Sequence, residues 1–290
     1  MAVIKKNNAV VFGLTVDHVF AVACVMMDLK SLSVDMFDEV VIFHDGIKEK
    51  DMHILQSILP TRFIRYDFPL SARVLDSRSV QQFTKMVFTK FECLRLLDEY
   101  KNVMWLDYDM VIQQDISNLF SPCVSGIKMM PGGMPVRDQL LEAVSEYDMN
   151  AEGICACIFV FQETLLNYKE CYRFCYEKLE EYVEVLYMPE QAIFDFMIQA
   201  YSLNPLAIDS HIYSPHPSDL QHATQAKIIH SYGQPKFWNG LYNKQWEKNY
   251  DEWLKLGGSK YRFPGIIDKL NRKFKNIGRR LKLILNGVYK

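Results

Sequence analysis

Long apolar runs are absent from this sequence of 290 residues. The apolar runs that it has, such as residues 154–161, fall far short of the roughly 20 residues of a transmembrane helix, so no membrane span is predicted. Residues 1–8 hold no apolar stretch followed by a small-residue cleavage site, which is not typical of a secretory signal. Gly- or Ser-rich linkers and internal repeats are lacking as well. We therefore expect a cytoplasmic protein.

Cysteine is sparse and odd in number, with seven residues in a chain too long to need disulfide staples. Cys155 and Cys157 form a C-x-C pair, and Cys171 and Cys175 are spaced as neighbours on one helix face. Neither pair is joined by a second close pair at zinc-finger spacing. We interpret these residues as buried, reduced thiols rather than metal ligands.

The composition that is present, 49% hydrophobic and 23% charged, predicts a sizeable core and excludes collagen-like or wholly disordered proteins. Charge is unevenly distributed. The net charge is −2, yet residues 266–290 hold eight Lys or Arg against one Asp, which leaves −9 on the rest of the chain. We expect a catalytic domain over residues 1–258 and a tail over residues 259–290.

The apolar residues of 266–290 recur every three or four positions, which predicts an amphipathic helix with basic faces. They are Ile267, Leu270, Phe274, Ile277, Leu281, Ile284 and Val288. Such a helix is typical of peripheral attachment to an anionic membrane surface. The alternative is that the stripe packs on the body or on a partner protein while the lysines stay solvated.

Apolar runs alternate with helical patterns through the first third of the chain, which favours an α/β fold with a mostly parallel sheet covered on both faces. The predicted strands are 9–14, 39–43, 62–66, 102–106, 126–130, 154–161 and 226–230. The predicted helices are 18–30, 49–58, 80–98 with a capping box at Ser79–Gln82, 163–183, 189–200 and 243–256.

Two aspartates, Asp107 and Asp109, directly follow the predicted strand 102–106. In open α/β sheets ligands bind beyond the carboxyl ends of strands. An extended D-x-D places both carboxylates on one side and Tyr108 on the other. Two hard oxygen donors suit Mg²⁺ or Mn²⁺ beside a diphosphate. A D-x-D in a surface turn is the ordinary alternative, but apolar sequence on both sides favours a buried, partnered pair.

His230 ends a second apolar strand and precedes a loop that contains Lys236. If both strands share a sheet, the imidazole reaches the same metal ion, and Lys236 offers a point charge to a phosphate. The alternative for His230 is a hydrogen-bonded structural residue. Lys90 occupies the middle of an apolar helix stripe, where it needs an anionic partner unless its ammonium group extends to solvent.

These residues carry a resemblance to a known family. The segments WLDYDMV at 105–111 and DISNLF at 115–120 resemble the metal-binding signature of glycosyltransferase family 8. His230-Ser-Tyr-Gly233 with Lys236-Phe-Trp238 resembles its H-x-x-G-x-x-K-P-W element, with Phe237 in place of proline. The resemblance covers residues 9–240 and implies a GT-A nucleotide-sugar transferase fold.

The resemblance also implies a set of site residues. Asp107, Asp109 and His230 would hold Mn²⁺ (or Mg²⁺) against the diphosphate of a UDP-sugar, and Lys236 would contact that diphosphate. Lys90 would touch the donor sugar. Glu190 and Gln191 resemble the family's D-Q element near the reacting sugar carbon, with Glu190 in place of the usual Asp. Thr15, Asp17, Tyr108 and Gly233 complete the implied donor-binding set.

The activity implied is transfer of a galactose or glucose, with retention, to a glycan or glycolipid acceptor, without a nucleic-acid partner. Cys155 and Cys157 stand where the family has Asn and Gly. The alternative enzyme class is a haloacid-dehalogenase-type Mg²⁺ phosphatase with Asp107 as nucleophile. The alternative outside enzymes is an inactive nucleotide-sugar-binding protein at a membrane surface.

Overall fold

The computed structural model describes residues 4–69 and 71–262. The described residues up to Ser259 belong to one unit. The predicted membrane helix at 266–290 lies outside the described residues. Among the residues described, no helix combines the length and the apolar character that crossing a bilayer requires.

The described elements alternate between strand and helix at first and become irregular later. The strands are β1 (Lys6–Leu14), β2 (Glu39–His44), β3 (Thr61–Arg65), β4 (Tyr100–Leu106), β5 (Met110–Ile112), β6 (Ile127–Pro135), β7 (Glu152–Gln162), β8 (Leu206–Ala207) and β9 (Ile228–His230). The helices are α1 (Val19–Leu32), α2 (Glu49–Ile58), α3 (Ala72–Leu75), α4 (Arg78–Phe83), α5 (Thr89–Arg95), α6 (Tyr168–Tyr182), α7 (Pro189–Ala200), α8 (Ser210–Tyr213), α9 (Leu220–Ala223) and α10 (Lys244–Lys255).

Seven strands form one mixed, mostly parallel sheet in the order β3-β2-β1-β4-β7-β6-β8. β1, β2, β3 and β4 are parallel, and β7 pairs antiparallel with both β4 and β6. The apolar runs at 9–12 and 40–43 are fully buried, as central strands covered on both faces require. The predicted α/β class and its β-α-β-α-β beginning are confirmed.

The single long helix predicted over 80–98 is wrong. The helix ends before Thr84, whose φ of 66° is not helical. The chain then continues through a 3₁₀ turn at Lys85–Phe88 into α5. The capping box placed at Ser79 is also wrong, because the Ser77 side chain caps α4 by accepting from the Val80 amide. The apolar spacing runs through the break because both pieces pack on the same core, so periodicity alone did not detect it.

A close approach fixes α5 over the sheet. A Cβ atom on Gly13 would overlap the Thr89 hydroxyl and the Trp105 ring, so β1 needs glycine here. The start of α5 therefore lies against the carboxyl end of β1 and beside β4. Lys90, the next residue, is buried in this position with 5% of its surface exposed.

A second sheet of two strands joins distant parts of the chain. β5 pairs antiparallel with β9, with Met110 opposite His230. The predicted strand at 226–230 is shortened to Ile228–His230. Because β5 follows the D-x-D directly, this pairing brings His230 next to Asp109.

Candidate active site

Three predicted ligands meet at the end of β4. One ligand atom from each of Asp107, Asp109 and His230 lies within 4.8 Å of the others. The His230 Nε2 atom is 3.1 Å from Asp109 Oδ1. Asp109 and His230 are buried, and Asp107 is half-buried. Two carboxylates and one imidazole converge here from stretches more than 120 residues apart in sequence.

Backbone pairing positions both carboxylates. The β4–β7 ladder continues one residue beyond β4, because the Asp107 amide donates to the Cys157 carbonyl at 2.9 Å. The Trp105 indole donates to Asp107 Oδ1 at 2.8 Å, as two residues on one side of an extended chain can. Ser231 fixes Asp109 by donating its amide and its hydroxyl to the Asp109 carbonyl.

Asp109 is surrounded by positive charge. The Lys236 ammonium donates to Asp109 Oδ2 and, at 2.7 Å, to the Ser231 carbonyl. Burial would raise the pKa of Asp109, but His230 and Lys236 outweigh it and hold that pKa far below its usual range. Asp109 is therefore a carboxylate at any physiological pH, which is the form that binds a cation.

Two contacts fix the position of His230, one to its ring and one to its backbone amide. Its Nδ1 atom lies 3.0 Å from the Ser214 hydroxyl, and its amide donates to the Pro215 carbonyl at 3.0 Å. Burial lowers the pKa of His230, and the negative charge of Asp109 more than compensates and raises it. Ser214 therefore orients the ring so that Nε2 faces the aspartates, as partners of metal-binding histidines commonly do.

Lys90 forms a buried ionic cluster beside the first aspartate. Its ammonium lies 3.0 Å from Glu190 Oε1, 3.3 Å from Asp107 Oδ1 and 5.5 Å from the centre of the Trp105 ring. Burial would lower its pKa, but Asp107 and Glu190 raise it well above the usual value. Lys90 therefore stays charged, and it links the D-x-D to the start of α7.

Gln191 has a different neighbour from Glu190. Its side-chain carbonyl accepts from the Ala156 amide at 3.2 Å, and its amide group lies against the Met188 sulfur. Asp195, which sequence reasoning missed, accepts from the Ile154 amide at 3.1 Å. Burial raises the pKa of Asp195 to about 8, although the Ile154 amide offsets part of the effect. Two α7 side chains thus hold the β7 backbone.

Those contacts occur where β7 departs from its ladder with β6. Met129 pairs with Phe159 and the next residue, Met130, pairs with Cys155, so β6 skips residues 156–158. Gln191 and Asp195 supply hydrogen-bond acceptors to β7 amides around this bulge. The signal in the sequence was the spacing of four between Gln191 and Asp195 on α7, which places both on one helix face.

The remaining predicted residues surround Tyr108. The Tyr108 ring stacks on His18, with centroids 5.3 Å apart, and lies 6.3 Å from the Trp238 ring. Thr15 lies 3.0 Å from His18 through its hydroxyl, whereas Asp17 is exposed. His18 and Trp238 were not predicted as site residues. In the sequence, His18 directly follows the predicted residue Asp17, and Trp238 lies two positions after Lys236.

Gly233 lies on the loop between β9 and Lys236. Its φ of 72° is in the left-handed region that favours glycine, and a Cβ there would meet no atom within 4 Å. Backbone conformation, and not crowding, therefore explains the glycine. The turn at 233 lets the chain double back so that Lys236 reaches Asp109.

A family model agrees with this geometry. The model described as Glycosyl transferase family 8 matches residues 9–241, which include every residue of the aspartate, histidine and lysine cluster. The chain belongs to glycosyl transferase family 8. None of the curated proteins compared with the chain matches it.

Solved structures share the fold. The galactosyltransferase LgtC, in complex with donor and acceptor sugar analogues, superimposes with a TM-score of 0.60 at 14% identity, covering 88% of this chain and 97% of LgtC. The bifunctional glycosyltransferase WbbM gives 0.64 at 13% identity over 87% of this chain, which spans only 51% of WbbM. Mouse xyloside xylosyltransferase 1 gives 0.50 at 13% identity, covering 79% of this chain and 98% of that one. At such identities the likeness shows the GT-A fold alone.

The three side chains Asp107, Asp109 and His230 are suitable ligands for the divalent metal ion that family 8 enzymes typically use. Two carboxylates and an imidazole are suitable ligands for Mn²⁺ or Mg²⁺. Lys236 and His230 both lie on Asp109, so this carboxylate already attracts cationic groups. Asp107, Asp109 and His230 are the residues that would hold the ion.

The C-x-C pair lies at the same site. All seven cysteines are free thiols, and Cys155 is half-buried while the other six are buried. A hydrogen bond from Cys157, acting against burial, lowers the pKa of Cys155 to about 7. Cys155 interacts electrostatically with Lys90 and His230. A partly ionised thiol therefore lies among the groups that carry the family signature.

Proposed function

We propose that this family 8 glycosyltransferase is a Mn²⁺-dependent, retaining hexosyltransferase. It moves galactose or glucose from a UDP-sugar to a hydroxyl of a glycan or glycolipid. The observation that carries the proposal is the convergence of Asp107, Asp109 and His230 beside the buried Lys90–Glu190 pair. The residues proposed to bind the metal ion therefore lie beside the residues proposed to contact the sugar.

Charge stabilisation is the main catalytic task at such a site. A bound Mn²⁺ would neutralise charge on the departing diphosphate. Lys236 adds a second positive charge at the Asp109 edge, where its ammonium already contacts a carboxylate. Ser214 and Ser231 keep His230 and Asp109 in place during the reaction.

The transfer step breaks the bond from the anomeric carbon to the phosphate oxygen and forms one to the acceptor oxygen. The acceptor proton goes to the departing phosphate in one route to retention. In the other, Glu190 or Gln191 shields the β face of an oxocarbenium-like centre. Glu190 suits that role better, because the Gln191 oxygen is already bonded to the Ala156 amide. Lys90 fixes the Glu190 carboxylate for this shielding role.

The sequence left two alternative functions open, a phosphatase and an inactive nucleotide-sugar-binding protein. Family membership leaves the phosphatase hypothesis without support, since the whole of 9–241 matches the transferase model. An inactive nucleotide-sugar-binding protein stays a candidate because Cys155 and Cys157 replace the usual Asn and Gly.

A donor screen tests the proposal. The full chain is incubated with a panel of nucleotide sugars, with and without Mn²⁺, and UDP release is measured. We expect release from UDP-galactose or UDP-glucose only when the metal is present. Binding of UDP with Mn²⁺ but no release from any donor would favour the inactive alternative, and release without metal would contradict the proposed site.

We also propose that residues 266–290 attach the enzyme to the anionic cytoplasmic face of a membrane. The support is the seven-residue apolar stripe between basic faces in the sequence. Deleting 266–290 is expected to abolish sedimentation with anionic vesicles while sparing UDP release with a soluble acceptor. Unchanged vesicle binding would exclude this role, and neutral vesicles serve as the control.

A further inference from the structure

A second group of metal-binding side chains lies on the segment that supports His230. Four of the seven histidines of the chain fall between residues 211 and 230. His211 on α8, Asp219 at the start of α9 and His222 on α9 each place one ligand atom within 4.8 Å of the others. His211 is exposed and the other two are half-buried, so solvent ions reach all three.

The three side chains are already oriented toward one another. His222 Nδ1 lies 2.7 Å from Asp219 Oδ2. The imidazole rings of His211 and His222 stack with centroids 4.1 Å apart. The Asp209 carboxylate accepts from the His211 amide at 2.9 Å and so fixes the start of α8 independently of the cluster. The contact between His222 and Asp219 reduces the side-chain freedom that these two residues would lose on binding, which favours affinity.

We propose that His211, Asp219 and His222 form a binding site for one zinc-class divalent ion. Two imidazoles and one carboxylate are a donor set that Zn²⁺ prefers, with solvent in the fourth position. Zinc ligands lie about 2.0–2.2 Å from the ion, and the three ligand atoms lie within 4.8 Å of one another before any ion is bound. The cluster of Asp107, Asp109 and His230 differs, since its two carboxylates and single imidazole suit Mn²⁺.

The site has a structural consequence for the active site. The segment between the two histidines contains Ser214 and Pro215, which contact the His230 ring and amide. An ion held by His211 and His222 joins α8 to α9 and closes this segment. Zinc binding therefore stiffens the support of His230 without contacting the donor.

Zinc binding to the full chain tests the proposal, with Asp109→Asn as the background so that the catalytic cluster is weakened. We expect one Zn²⁺ per chain by calorimetry. Adding His211→Ala or His222→Ala should weaken binding by at least ~10-fold, the lower end of what even an outer partner contributes. His216→Ala is the matched control, because His216 lies in the same segment but contacts Ser218 and Tyr232 instead.

A second readout separates this site from thiol binding. Co²⁺ substituted for Zn²⁺ should give the visible absorption of nitrogen and oxygen ligation, lost in His222→Ala and kept in His216→Ala. Zinc should also raise the Tm of the parent but not of His222→Ala. Equal zinc affinity in all three histidine variants, or no binding by the parent, would overturn the proposal. Matching metal-free circular dichroism shows that the variants are folded.

Discussion

Asp109→Asn is expected to lower the kcat of Mn²⁺-dependent transfer by about 10³-fold, the upper end of the effect of removing one electrostatic contact from an active site. The asparagine keeps the shape of the residue and removes the charge. Asp109 is the carboxylate on which His230 and Lys236 both converge. Its loss therefore removes a proposed metal ligand and the anion that the His230 and Lys236 side chains both contact.

The assay is UDP release at saturating donor, paired with direct measurement of bound Mn²⁺ by electron paramagnetic resonance. We expect the two to fall together. Asp251→Asn is the matched control, because Asp251 is exposed on α10, outside the site. Wild-type turnover in Asp109→Asn, with circular dichroism showing a folded chain, would exclude Asp109 from the machinery.

The sequence was sufficient for much of the fold because its central strands are unusually uniform. The runs at 9–12 and 40–43 contain only apolar residues, and a strand covered on both faces buries such a run completely. The same logic located the D-x-D, since it follows the buried strand Tyr100–Leu106 directly. Strand ends are where a parallel sheet exposes polar groups.

The break at Thr84 could not be predicted because helix periodicity survives it. Thr84 adopts a positive φ, and its hydroxyl accepts from the Met86 amide to start the next turn. No glycine marks the position. For Lys90 the apolar spacing left two outcomes open, a buried ammonium with an anionic partner or an ammonium that extends to solvent, and the structure shows the buried one.

Other side-chain contacts across the fold, unlike that of His230 with Asp109, were beyond sequence reasoning. Gln191 was interpreted only through its place in a motif, whereas its oxygen bonds to the Ala156 amide beside a strand bulge. The His211, Asp219 and His222 cluster spans a loop with no regular period. Such contacts depend on how irregular segments return to the sheet, which no short pattern encodes.

Lys90→Met is expected to have the largest effect on stability. The substitution leaves the Glu190 carboxylate, whose side chain is 10% exposed, without a cation. Removing one partner of a buried ion pair costs about 3–5 kcal/mol. We expect a loss of that size in the free energy of unfolding at pH 7, measured by urea denaturation, together with loss of transfer.

A double substitution separates the structural role of Lys90 from its role in donor binding. In Lys90→Met with Glu190→Gln, the unpaired buried charge is gone, so most of the lost stability should return. Transfer should stay lost, because the Lys90 charge proposed to contact the donor sugar and the Glu190 carboxylate proposed to shield the reacting carbon are both missing. Recovery of transfer along with stability would show that Lys90 serves only to neutralise Glu190.

Lys128→Met is the matched control for a buried lysine. Lys128 is 4% exposed, like Lys90, but its ammonium bonds to the Ser121 hydroxyl and not to a carboxylate. Burial lowers the pKa of Lys128, whereas Asp107 and Glu190 raise that of Lys90. An apolar side chain at 128 leaves no buried carboxylate without its cation, so we expect a smaller loss of stability and unchanged transfer. The difference in the loss of unfolding free energy between Lys90→Met and Lys128→Met then measures the effect of the two carboxylates that contact Lys90.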